Sequence, residues 1–196
     1  MDSTSTSTTS LGPARFAPWD NSVHLSFHHC VDNKLPDFVK EELISCAFVF
    51  VFDQKRRMLM GKHAKRGYDI PGGHVEEKEK SVDAATRELE EEVGVKIQSS
   101  QLRLFGYERL FHFDKSRPVS LKDNHPWPKS YFTYYMINNI DSDDNNNGNT
   151  FKPRPNTEES HEDMQEIKWF TVEELHQHKW FIERPHVLPD LLKSIG

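Results

Sequence analysis

Residues 73–95 read Gly-His-Val-Glu-Glu-Lys-Glu-Lys-Ser-Val-Asp-Ala-Ala-Thr-Arg-Glu-Leu-Glu-Glu-Glu-Val-Gly-Val. Ala84, Ala85, Leu89 and Val93 recur at helical spacing and predict one apolar face. Ser81 is placed to cap the first turn with its hydroxyl, and Asp83 suits the positive end of the helix dipole. Gly94 stands where a left-handed residue ends a helix. Just upstream, Pro71-Gly72-Gly73 reads as a turn or loop. On such a helix Glu88, Glu91 and Glu92 fall at i, i+3 and i+4, on one face. Like charges at that spacing destabilise a helix by a few tenths of a kcal/mol per pair. A cation bound there accounts for the cost; a plain solvated acidic face is the competing explanation.

The spacing Gly-x5-Glu-x7-Arg-Glu-U-x-Glu-Glu-x-Gly-U, with U apolar, is met at every position. The fixed letters are Gly73, Glu79, Arg87, Glu88, Leu89, Glu91, Glu92, Gly94 and Val95. From ordinary residue frequencies, a chance match is on the order of one in a billion per starting position. The stretch is the Nudix box, and the chain resembles the Nudix hydrolase family. That resemblance implies an α/β fold, a Nudix-type α-β-α sandwich with a mixed β-sheet. It implies cleavage of a diphosphate linkage in a nucleoside diphosphate derivative, with Mg2+ or Mn2+ and two or more ions. It makes Glu88, Glu91 and Glu92 metal-binding carboxylates, with the loop carbonyl near Gly72 or Gly73 as a further ligand. Arg87 corresponds to an arginine that orients the glutamates, and Glu79 to an acid that supports the join of loop and helix.

The chemistry suits such residues. A diphosphate repels a hydroxide nucleophile, and hard divalent ions on oxygen ligands neutralise it while lowering the pKa of bound water. The protein then supplies placement and electrostatics. Candidates for the base that activates the water are Glu91 and Glu92, or a carboxylate of the acidic segment 158–163. In this family a late carboxylate before the last strand often joins the site, which favours Glu162.

One domain accounts for the rest. The chain has 196 residues, 35% of them hydrophobic, near the usual size of a single core. Residues 1–20 read as a flexible Ser/Thr-rich tail. Residues 21–196 read as the Nudix hydrolase domain, with a low-complexity loop at 141–162. No apolar run is of membrane-spanning length, and no signal-peptide core precedes the domain. Cys30 and Cys46 lack metal or redox spacing and are expected to be reduced thiols in a cytoplasmic protein. The net charge of −6 disfavours nonspecific binding to nucleic acid or membrane. The 11 histidines show no zinc-ligand spacing.

Alternation and apolar runs predict strands at 23–27, 43–52, 102–113, 131–140 and 166–170. Residues 57–62 are expected to return as a hairpin partner of 43–52 after a turn at 53–56. Helices are expected at 172–178 and 187–195. For the substrate base, Trp127, in a Pro-Trp-Pro segment, and the nearby Phe111 and Tyr131 are candidate stacking residues. The segment partly resembles the tag of NADH diphosphatases but is one residue shorter; the tags of the ADP-ribose and coenzyme A enzymes are missing. The expected substrate is a small nucleotide: a nucleoside diphosphate derivative or an oxidised nucleoside triphosphate such as 8-oxo-dGTP. The alternatives are NADH or another dinucleotide, a capped RNA end, and a Nudix-fold binding protein without turnover.

Overall fold

The buried run from Ile44 to Asp53 organises the computed structural model, which describes residues 23–30, 32–64, 66–112, 129–140 and 164–196. In chain order the strands are β1 (Val23–His29), β2 (Ile44–Asp53), β3 (Met58–His63), β4 (Gly67–Asp69) and β5 (Gly72–His74). Helix α1 (Ser81–Val93) follows, then β6 (Arg103–His112), β7 (Lys129–Ile140) and β8 (Met164–Phe170). Helices α2 (Val172–Gln177), α3 (Lys179–Glu183) and α4 (Val187–Ser194) close the described chain.

The path across the sheet is β1-β6-β7-β2-β3-β4, with β5 also on β2 and β8 on β3. The β2–β7 pairing is parallel and the other described pairings are antiparallel, so the sheet is mixed. A strand buried on both faces needs a nearly continuous apolar sequence, and β2 has one. Cys46, Phe50 and Phe52, with Phe48 against them, join one core together with residues of α2, α3 and α4. Ala47, Val49 and Val51 join the other, with Ala84, Ala85, Leu89 and Val93 of α1. The alanines on both sides let α1 lie close to the sheet, and burying Leu89 alone is worth about 2 kcal/mol. The α/β sandwich expected from the sequence is the one observed.

Three local expectations change. Pro71 opens a bend, but Gly72 and Gly73 belong to β5, which pairs Gly72 with Phe48 and Gly73 with Ala47. Glycine is needed there: Gly72 has φ +148°, and a side chain would strike the Ala47 carbonyl and the Phe48 backbone. Ser81 is not the N-cap but the first helical residue, fully buried. Its N–H and hydroxyl donate to Glu41 at 3.1 and 3.3 Å, so a carboxylate from 40 residues upstream does the capping. The β2–β3 hairpin is registered at only Phe52↔Met58. Because β5 occupies the edge of β2 at Cys46–Phe48, β3 turns away to pair with β4 and β8.

Gly94 has φ +74°, and its N–H reaches the Glu90 carbonyl while Val95 N–H reaches that of Leu89. This is the left-handed stop read from the sequence. Neither cysteine is in a disulfide, both are buried, and burial pushes the Cys30 thiol up to about 11. No described helix is long and apolar enough to cross a membrane. The tail 1–20 and the loop 141–162 lie outside the described residues.

Candidate active site

Glu88, Glu91 and Glu92 of α1 lie beside β5, and Arg87 links the first two. Its Nη1 donates to Glu88 Oε1 at 2.8 Å and to Glu91 Oε2 at 3.0 Å. Its Nε and Nη2 donate to the two oxygens of Glu79 at 3.0 and 3.1 Å, and Nη2 also reaches the His74 carbonyl at 3.0 Å. One guanidinium thus joins the loop, the strand and the helix, as a planar five-donor fork allows. Its hydrogen bonds to Glu79 raise its pKa, against burial, and those to Glu88 add to this. Burial pushes Glu79 up, but hydrogen bonds from Arg87 and from the Glu76 N–H prevail and hold it below the usual carboxylate range.

Glu88 lies against Gly73, where a Cβ would come within 2.5 Å of its carboxylate. Glycine at 73 therefore leaves the space this carboxylate fills.

Glu92 is held differently. Its Oε2 accepts the Gly72 N–H at 2.7 Å, and its Oε1 lies 3.5 Å from His63 Nε2. Arg66 in turn lies 2.9 Å from that His63 nitrogen. The side chains of Glu92, Glu88 and Glu91 are 3%, 13% and 51% exposed, so they step from the core outward to solvent.

Among the described residues, no group of three His, Cys, Asp or Glu side chains is gathered closely enough to form a metal cage. The donor chemistry nevertheless fits a hard cation: three carboxylates on one helix face, beside the backbone oxygens of β5. Arg87 already brings Glu88 and Glu91 to one point, the service a cation would take over.

The other residues expected at the site are placed as follows. Tyr131 is 3% exposed and packs edge-on to Tyr107, with ring centroids 6.0 Å apart, in the core shared with α1. Its ring has no open face to offer a base. Phe111 lies on β6 opposite Lys129. Trp127 and Glu162 lie outside the described residues. His63 and Glu41 were not legible as site neighbours: nothing local marks a residue whose partner is 29 or 40 positions away.

A family model for the NUDIX domain matches residues 43–191. YtkD of Bacillus subtilis (strain 168), named as a candidate 8-oxo-dGTP diphosphatase, is 33% identical over 96 residues. That match covers 47% of this chain and 55% of YtkD, so the chain spans about half the length of this relative. The structure is similar to a mutant form of the Bacillus subtilis pyrophosphohydrolase BsRppH, with a TM-score of 0.57. The likeness covers 88% of this chain and 95% of that one at 18% identity, a likeness of fold.

Proposed function

The chain belongs to the NUDIX domain family, and from that premise we propose that it is a metal-dependent hydrolase of nucleotide diphosphate linkages. Its substrate is a nucleoside diphosphate derivative or an oxidised nucleoside triphosphate, attacked by metal-activated water. The name of YtkD supports the second class. The observation that carries this reading is the Arg87 cluster, in which one guanidinium joins Glu79, Glu88, Glu91 and the carbonyl of His74 ahead of the box helix.

Glu88, Glu91 and Glu92, with a carbonyl of Gly72 or Gly73, would hold Mg2+ or Mn2+. The ion, when bound, offsets phosphate charge and supplies hydroxide near neutral pH. The chain's own residues set the geometry. Gly72 N–H fixes one oxygen of Glu92 and leaves the other turned toward His63. Arg87 keeps Glu88 and Glu91 from splaying apart by mutual repulsion. The close fit of α1 on Ala47 and Val49 fixes the height of all three above β5. This is catalysis by placement. Residues 21–196 form the hydrolase domain in this reading, acting on small nucleotides in the cytoplasm, with Glu162 as a further candidate base.

The test is release of phosphate, diphosphate or nucleoside monophosphate from a nucleotide panel that includes 8-oxo-dGTP, with and without Mg2+. Release that needs Mg2+ is expected. Inertness toward the whole panel, with Mg2+ and Mn2+ supplied, would refute the reading.

A further inference from the structure

Strand β3 carries one polar side chain on its α1 face. Side chains on a strand alternate between the two faces. Met58 and Met60 join the core built with α2, α3 and α4, and Leu59 joins the core built with α1. Leu59, Gly61 and His63 therefore share the α1 side. The His63 side chain is 10% exposed, and its Nε2 lies 3.5 Å from Oε1 of Glu92, which is 3% exposed. The other oxygen of Glu92 accepts the Gly72 N–H at 2.7 Å. Arg66, three residues after His63 and exposed, brings Nη2 to 2.9 Å from Nε2 and 3.2 Å from Nδ1. A buried carboxylate, an imidazole and a guanidinium meet in sequence.

The donor inventory says how they fit. An ionised carboxylate only accepts and a guanidinium only donates, whereas a neutral imidazole has one nitrogen of each kind. The partner of one ring nitrogen decides which of the two carries the proton. Arg66 reaches both nitrogens, and Glu92 faces Nε2. Both neighbours are satisfied when Nδ1 accepts from Arg66 and Nε2–H points at Glu92. A charge held away from water needs such donors. A contact at each oxygen also fixes the plane of a carboxylate, which a single contact leaves free to turn. Side chains that bind metal ions are commonly oriented by neighbours of this kind. At 3.5 Å the contact is long for a hydrogen bond, as catalytic contacts often are before substrate binds. Packing does not call for it, because β3 already meets α1 through Leu59.

We infer that His63 is a positioning residue for the hydrolytic site: its Nε2–H turns Glu92 Oε1 into the orientation that binds a divalent cation, and Arg66 holds the ring in the tautomer able to donate. The inference rests on the reading of Glu92 as a metal-binding residue of a hydrolase, but both of its parts can be measured without turnover.

Mn2+ affinity of the full chain is measured calorimetrically, without nucleotide, for wild type, His63→Ala, His63→Asn, His63→Gln and Arg66→Met, with urea midpoints alongside. A glutamine amide can place its N–H where the imidazole Nε2–H stood; the shorter asparagine reaches only the Nδ1 position. His63→Ala and His63→Asn should weaken Mn2+ about tenfold or more, the scale of a lost outer neighbour of a metal site. His63→Gln should recover most of that loss, and Arg66→Met should weaken Mn2+ less than His63→Ala does. In a 15N–1H spectrum of the metal-free wild type at about pH 8, where imidazoles are ordinarily neutral, Nε2 of His63 should carry the proton. Mn2+ affinity that merely follows the urea midpoints, equal losses in His63→Gln and His63→Asn, a bare Nε2, or a wild type that binds no Mn2+ would overturn the inference. If one of those results accompanies Mg2+-dependent release from the nucleotide panel, only the role of His63 falls. If the expected results accompany no release from any nucleotide, only the hydrolase reading falls.

Discussion

Two arginines organise carboxylates in this molecule, and they do so in opposite environments. Arg87 is 26% exposed and contacts three glutamates, one of them half in solvent. Arg184 is 9% exposed and pairs with Glu108, which is 2% exposed, beneath Tyr134 and Trp180. Water screens the first cluster, so its charges can shift at small cost. The second cannot be opened without stranding a charge in an aromatic core. The first is a place where charges are rearranged; the second is a fixed wall. Both lean on β2, which turns Ala47 and Val49 toward α1 and Phe48 toward Tyr134.

Substitutions that remove one partner should separate the clusters most sharply. Arg184→Ala leaves Glu108 buried without its cation and should destabilise the fold by about 3–5 kcal/mol. Arg87→Ala, on the open side, should lower stability by no more than about 1 kcal/mol, while weakening Mn2+ binding. Urea denaturation of the two variants gives the comparison; equal losses would mean that exposure does not distinguish the clusters.

Glu92→Gln addresses the glutamate face of α1 alone. Turnover should fall 100-fold or more with Mg2+ present, as for a lost metal-activated step, about 2.7 kcal/mol of barrier. The substituted side chain keeps a carbonyl oxygen that can accept the Gly72 N–H, so the unfolding midpoint should stay close to that of the wild type. Full turnover in this variant would remove Glu92 from the site.

A smaller effect is expected where α1 begins. Ser81→Ala removes the hydroxyl shared by Glu41 and Tyr135 and should cost about 1 kcal/mol. Because α1 carries all three carboxylates, Mn2+ affinity measured by calorimetry should fall with it.

The mildest probe is pH. Burial holds His28, His29 and His178 below the usual histidine value, so they favour the neutral form when folded. Their contribution is complete above about pH 6.5 and declines as pH falls through the lowered folded values. Glu79 is also depressed, because the Arg87 clamp outweighs its burial. Its contribution is complete above about pH 4.3 and is lost only at lower pH. Stability measured from pH 8 to pH 3 should therefore fall in two stages, the histidines first. His178→Asn should shrink the first stage, and Glu79→Gln the second.

Much of the half built on α1 was legible residue by residue. The stripe of Ala84, Ala85, Leu89 and Val93 marks the buried side of α1, and all four are fully buried. Gly94 marks its end, and the apolar run 43–52 marks the central strand. Ser81 departs from expectation because a serine before an apolar periodicity looks like a cap whether its hydroxyl turns to its own helix or to Glu41. β5 escapes a pattern search because two glycines carry no alternation; the pairing to Ala47 and Phe48 is made by backbone alone. Tyr131 has the chemistry of a stacking residue, but its identity does not say which face of β7 it will occupy.

The features carried by neighbours along the chain could be read without coordinates: the box helix, its stop, the placing of three glutamates on one face, and the double-sided burial of β2. Those follow from the 3.6-residue and two-residue periods of the backbone. Meetings between distant segments emerged with the folded chain alone: Glu41 with Ser81, His63 with Glu92, Phe48 with Tyr134, and Arg184 with Glu108. Each depends on which faces of which strands come together, and no period within a single segment encodes that choice.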